Sequence, residues 1–112
     1  MDKDKSEEIN DAFKAVVNMP PAKLKRWLDS EESKAVGSKD DSGSSESVGH
    51  HSGRRIVEIQ RKRKAELDAS DFAHMQKVVG YVHRHMEQRP HGDVTNTPWR
   101  YSLMNWGHDP TE

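Results

Sequence analysis

Apolar residues in this chain fall into short, helix-spaced groups separated by Pro, Gly and acidic stretches. In SEEINDAFKAVVN, residues 6–18, Ile9, Phe13, Val16 and Val17 recur at i, i+4, i+7 and i+8 and make one stripe. Ser6 is placed to cap this helix, and Glu7 and Glu8 complement the positive end of its macrodipole. Met19-Pro20-Pro21 stops it. Pro21 then suits the first position of a second helix, where a missing N–H costs nothing. Leu24, Trp27 and Leu28 form that helix's inner side, and Ser30 caps a short EESKAV turn closed by Gly37. SKDDSGSSES, residues 38–47, contains no apolar residue. It cannot bury surface to offset its ordering entropy, so it reads as a mobile loop.

A central helix is expected to start at Ser52 or Gly53 and run to about Leu67, with Ile56, Ile59 and Leu67 inward and Gln60 at the edge. Asp68 or Ser70 caps the next helix, DFAHMQKVVGYVHRHMEQR, which Pro90 ends. There Phe72, Met75, Val79, Val82 and Met86 step by 3 and 4, and with Val78 they fill an arc roughly 120° wide. Gly80 lies off that arc and costs about 1 kcal/mol against Ala, so it is expected to mark a close helix crossing. In the tail, Thr97 is an N-cap, Pro98 takes the first helical position, Gly107 is an αL stop and Pro110 lies beyond. Trp99, Leu103 and Trp106 fall at i, i+4 and i+7, and so aromatic a segment is expected to fold back and complete the core. The pattern predicts an all-α single domain over 1–112. It has four to five helices, a flexible acidic Ser/Gly loop at about 38–47, and a C-terminal aromatic helix at about 98–106 packed on the core.

Composition sharpens this picture. The 112 residues suit one small domain, and 31% hydrophobic against 33% charged residues leaves a small core and a narrow stability margin. The absence of Cys excludes disulfides and thiolate metal sites. No apolar run approaches the ~20 residues a membrane span needs, and MDKDKSEE lacks the basic-then-apolar order of a secretion signal. The expected setting is cytoplasmic, or nucleoid or nuclear if DNA is bound, with no membrane partner. The net charge of −1 hides an internal polarity. Residues 50–90 hold nine Lys/Arg against five Asp/Glu and five of the seven His, whereas both flanks are net acidic. Only the middle block suits a polyanion.

The densest basic stretch is GHHSGRRIVEIQRKRK, residues 49–64. At about 100° per residue, Arg54, Arg55, Arg61 and Lys62 share the outer arc of the central helix, and Arg63 lies nearer the apolar stripe with its stem along the core. One reading is a solvated face: Glu58 pairs with Arg61 and Lys62 at i+3 and i+4. The other is an anion site. Ser52-Gly53-Arg54-Arg55 at a helix start would offer free N–H groups and bidentate guanidinium donors to phosphate. Lys77 and Arg84, seven residues apart with Gln88 nearby, would extend that surface if the two long helices pack antiparallel. Such contacts hold a sugar-phosphate backbone without reading sequence. No helix-turn-helix spacing, zinc-finger spacing or aromatic stacking motif accompanies them.

Other chemistry finds little support. His50 and His51 diverge as neighbours, His83 and His85 do not face each other, and His74 and His85 stand about 16 Å apart along a helix. HEXXH and EXXH are absent, so no metal site is expected. His91 and His108 read as helix caps or backbone partners. No GxSxG elbow, Walker or Rossmann glycine pattern occurs, which points to a non-enzymatic protein without a cofactor. The alternative to DNA is a protein partner docked on the aromatic tail, WRYSLMNW.

RWLDSEESKAVG, ESVGHHSGRRIVEI, VHRHMEQRP and TPWRYSLMNWGHDP together resemble an uncharacterised family of small bacterial and fungal proteins, domain of unknown function 3140. The resemblance runs from about Lys23 to Pro110, and SKDDSGSSES looks like a variable insertion within it. Some members of that family are labelled DNA-binding, without an established site. The resemblance therefore implies no catalytic residue, and it favours a sequence-independent DNA-binding protein with Arg54, Arg55, Arg61, Lys62, Lys77 and Arg84 as phosphate contacts.

Overall fold

The computed structural model describes residues 3–36 and 48–112. These form α1 (Lys3–Val16), α2 (Pro21–Leu28), α3 (Glu31–Ala35), α4 (Val48–Gln60), α5 (Ala69–Met86) and α6 (Pro98–Asn105), with a 3-10 turn at Lys64–Glu66. No strand occurs among the described residues, so the fold is all-α. Six α-helices stand where four or five were expected, the shortest being α3. The expected loop at 38–47 lies outside the described residues.

The core is two helix pairs joined by a wedge. α5 packs chiefly along α1 and α4 along α2, and α6 sits between, touching α2, α3, α4 and α5. Leu24, Ile56, Met75, Val78 and Leu103 are fully enclosed where these elements meet. Burying Trp99, Leu103 and Trp106 stabilises by on the order of 2–3 kcal/mol each. That burial is why an eight-residue helix, too short to persist alone, holds here.

Most start signals act as the residues imply. The side chains of Ser30, Asp68 and Thr97 accept from the backbone N–H of Ser33, Asp71 and Arg100, and Pro21 and Pro98 open their helices. Ser6 is an exception: it lies inside α1, which is already helical from Lys3. At the other end Gly107 takes φ +80°. The tail then locks onto the α1–α2 turn. Asn18 and Asp109 exchange two hydrogen bonds of 2.8 and 3.0 Å, and His108 Nδ1 donates to the Val16 carbonyl at 2.7 Å. Gly107→Ala is expected to cost about 2–3 kcal/mol, because it adds a contact 3.0 Å from Val17 to the αL penalty of ~1–2 kcal/mol. Gly92→Ala, at φ +83° with nothing within 4 Å, should cost only the αL penalty of about 1 kcal/mol. Urea denaturation of both variants measures the difference.

The central helix departs from expectation at both ends. α4 is helical from Val48, so Ser52 and Gly53 are interior and buried rather than at a helix start. Small residues here are a packing seam. A Cβ at Gly53 would stand 2.5 Å from the Asn105 carbonyl oxygen and 2.6 Å from Leu28. The close crossing expected at Gly80 is therefore at Gly53, since a Cβ at Gly80 would meet only the Arg84 guanidinium. α4 ends at Gln60, not Leu67. Between Ile59 and Leu67 the only apolar residue is Ala65, so no stripe remains to hold further turns on the core. Arg63 turns extended, and Leu67 packs on the core from outside any helix.

Candidate nucleic-acid interface

The four cations Arg54, Arg55, Arg61 and Lys62 do not share one helical arc. Arg61 and Lys62 lie beyond the end of α4, in the turn that leads to the 3-10 segment. Arg55 and Lys62 instead converge on Asp71 of α5. Arg55 Nη2 donates to Oδ1 and Lys62 Nζ to Oδ2, each at 2.8 Å. Asp71 is 0% exposed and also accepts from the Asp68 N–H at 3.1 Å, closing a reciprocal N-terminal box on α5. Burial alone pushes its carboxyl up, but the hydrogen bonds from Lys62, the Asp68 backbone and Arg55 outweigh that and hold it at about 2. With Asp68, whose carboxylate accepts from the Asp71 N–H and also acts on Lys62, the knot holds two cations against two carboxylates and is balanced.

The other four cations are exposed. Arg54 and Arg61 line a shallow groove of about 190 Å³ with Lys25, His50 and the acidic Asp29, on the flank of α4 that meets α2. Lys77 and Arg84 stand on α5, bordering a cleft toward the start of α4. His74 links the two sides. Burial lowers its pKa, and the charges of Arg55, Lys77 and His51 lower it further, so groups of α4 and α5 both act on one imidazole. Arg54 and Arg55 project about 100° apart on α4. The exposed cations thus fall in two pairs, Arg54 and Arg61 on the α2 flank of α4 and Lys77 and Arg84 on α5.

Several local expectations are corrected by the same geometry. The phosphate seat at Ser52-Gly53 does not exist: Ser52 is buried one turn inside α4, with Oγ 2.9 Å from His74 Nε2. Glu58 pairs with neither Arg61 nor Lys62, because Lys62 is drawn to Asp71. Arg63 does not lie along the core. Its side chain is 88% exposed and pairs with Glu66, and Lys64 reaches Glu7 at 3.6 Å.

The aromatic tail is core. Trp99 of α6 and Trp106 at its C-terminal cap interleave with α5 in a ladder that runs His74, Trp106, Tyr81, His85, Trp99, with interplanar angles of 10° to 15°. Arg89 closes its end, 5.3 Å over Trp99. Asn105, fully buried, accepts from Trp27 Nε1 at 2.8 Å and donates to the Ser33 carbonyl at 3.1 Å, tying α2, α3 and α6 together.

The family model described as "Protein of unknown function (DUF3140)" matches residues 12–104. The chain belongs to the DUF3140 family. No curated protein and no solved structure matches it. The DUF3140 span takes in every candidate cation and Asp71, and it stops just short of Asn105 to Asp109, which complete the core.

Two features of the candidate site were hidden in the sequence. Lys25 joins Arg54 and Arg61 only because α2 lies beside α4. Asp71 was legible as part of a capping box, Asp68-x-x-Asp71, yet its hold on Arg55, sixteen positions away, has no local signal. For the described residues, no helix is long and apolar enough to cross a membrane.

Proposed function

We propose that this DUF3140 protein binds the sugar-phosphate backbone of duplex DNA through the surface of α4 and α5. Arg54, Arg61, Lys77 and Arg84 would make the phosphate contacts. Support for the reading is that Arg54, Arg61, Lys77 and Arg84 are all exposed on adjoining elements, and that Arg55 of α4 and Lys77 of α5 both act electrostatically on His74. Arg55 and Lys62 are paired with Asp71, so they are kept out of the set of contacts proposed here. Cations that contact phosphates alone position a backbone without selecting bases. A salt-indifferent docking surface on the tail has less support, because Trp99, Leu103 and Trp106 are buried.

The test is fluorescence anisotropy with a labelled duplex at several salt concentrations. Four phosphate contacts predict a slope of about −3 to −4 in log K against log salt. Changing Arg54, Arg61, Lys77 and Arg84 together to Gln is expected to remove binding at 100 mM salt while leaving the melting temperature within a few degrees. Arg55 and Lys62 stay in place so that Asp71 keeps its partners. Equal affinity of the parent and the quadruple variant, with both folded, would sink the proposal.

A further inference from the structure

Between the start of α4, the middle of α5 and α6 lies an open cleft of about 440 Å³. Its walls carry the rings of Tyr81 and Trp106, its borders Lys77 and Arg84, and among the described residues no carboxylate lines it. Two features separate it from an incidental gap. The first concerns the three indole N–H groups. That of Trp27 donates to Asn105 Oδ1 and that of Trp99 to the His85 carbonyl, each at 2.8 Å. Trp106 is only 4% exposed, and its N–H has no acceptor among the described residues. That N–H is not among the sealed, unsatisfied polar atoms, so it opens to the cleft, where water or a ligand can accept from it.

The second feature is Gly49. Its φ is not in the left-handed region, so no backbone conformation demands glycine there. Inside a helix it costs about 1 kcal/mol against Ala. What it provides is room: a Cβ at position 49 would stand 3.1 Å from Trp106 Nε1. The missing side chain leaves that N–H reachable from the cleft.

The ring faces are already taken, since Trp106 stacks on Tyr81 at 4.2 Å and on His74 at 6.4 Å. A ligand therefore meets ring edges, which carry the positive part of the aromatic quadrupole and favour an electron-rich aromatic face or an oxygen anion. His85 stays neutral, because burial lowers its pKa while its bond to the Trp99 carbonyl only partly offsets this. Two fixed cations at the border and an apolar, edge-lined interior are complementary to one ligand class. We propose that this cleft binds a small aromatic carboxylic acid, its ring against the edges of Tyr81 and Trp106 and its carboxylate between Lys77 and Arg84. The site stands independently of nucleic-acid binding, although it borrows two of the same cations.

The experiment titrates 2-naphthoate into uniformly 15N-labelled protein without nucleic acid and follows the three assigned indole N–H cross-peaks. The Trp106 peak is expected to move saturably while those of Trp27 and Trp99 hold still. The uncharged 2-naphthamide should bind at least tenfold more weakly. Lys77→Gln with Arg84→Gln should weaken naphthoate binding by a similar factor. Gly49→Ala should abolish it while leaving the protein folded. No saturable movement at Trp106, equal affinity for the amide, or full binding by folded Gly49→Ala each overturns the proposal. If Gly49→Ala does not fold, the Lys77/Arg84 double variant decides, and unchanged affinity there overturns it.

Discussion

Gly53→Ala is expected to destabilise the protein by about 3 kcal/mol, against the trend of helix propensity. Alanine at an interior helical position is normally favoured over glycine by about 1 kcal/mol. Here the added methyl carbon would stand 2.5 Å from the Asn105 carbonyl oxygen and 2.6 Å from Leu28 Cδ2. Leu28 has some rotamer freedom, but it is itself buried. The carbonyl has none, because Asn105 is fixed by Trp27 and Ser33. Relief requires α4 to move away from α6, and that opens the junction on which Ile56 and Leu103 depend. For a chain of this size the loss corresponds to a fall in melting temperature on the order of 10–15 °C. Gly80→Ala is the control. Its new methyl would meet only the mobile guanidinium of Arg84 at 3.1 Å, so that variant should gain about 0.5–1 kcal/mol. Thermal melts of the two variants beside the parent settle the matter: if Gly53→Ala melts at or above the parent, the close crossing is not real.

Asp71→Asn is expected to cost about 2–4 kcal/mol at pH 7 and almost nothing near pH 2. The amide keeps the shape and one oxygen acceptor, but it loses the charge that receives Arg55 and Lys62, and charge-assisted bonds of this kind contribute roughly 1.5–3 kcal/mol each at most. The pH dependence follows from the depressed carboxyl. It titrates at about 2 in the folded protein against 3.8 for the ordinary group, so the unfolded chain takes up its proton first as pH falls. The stabilisation is complete above about pH 5 and fades as pH drops from about 4 to 2. Asp109, held at about 2 against its own burial by Arg100 and Thr111, fades over the same window and remains intact in the variant. The melting temperatures of parent and Asp71→Asn should therefore both fall with acid while the gap between them closes. A gap that stays constant from pH 7 to pH 2 would show that the charge of Asp71 contributes nothing.

His74 and His85 add an earlier stage to acid sensitivity. Burial lowers both, so each favours the folded state only while neutral, and stability is lost as pH falls below about 6.5. Both belong to the aromatic ladder, so protonation places charge within the stack that joins α5 to α6.

What could be read from the chain alone was local in origin. Apolar spacing marked α1, α2, α5 and α6, because a helix repeats its core face every 3 to 4 residues whatever it packs against. Ser30, Asp68, Thr97, Pro21 and Pro98 announced starts, and Gly107 a stop, because capping and φ are properties of a few consecutive residues. The burial of Trp99, Leu103 and Trp106 followed from their mass and spacing alone. The extent of α4 did not follow, since Gly49, Ser52 and Gly53 look like a break until α6 and α2 lie against them. Nor did the fate of the cations. Arg55, Lys62 and Asp71 are far apart in sequence, and Coulomb attraction between them acts only once α5 returns beside α4. The open indole N–H of Trp106 likewise depends on which residue happens to face it. Periodicity and capping are written into neighbouring residues. Close approach, charge neutralisation and clefts arise between segments, so they belong to the tertiary structure.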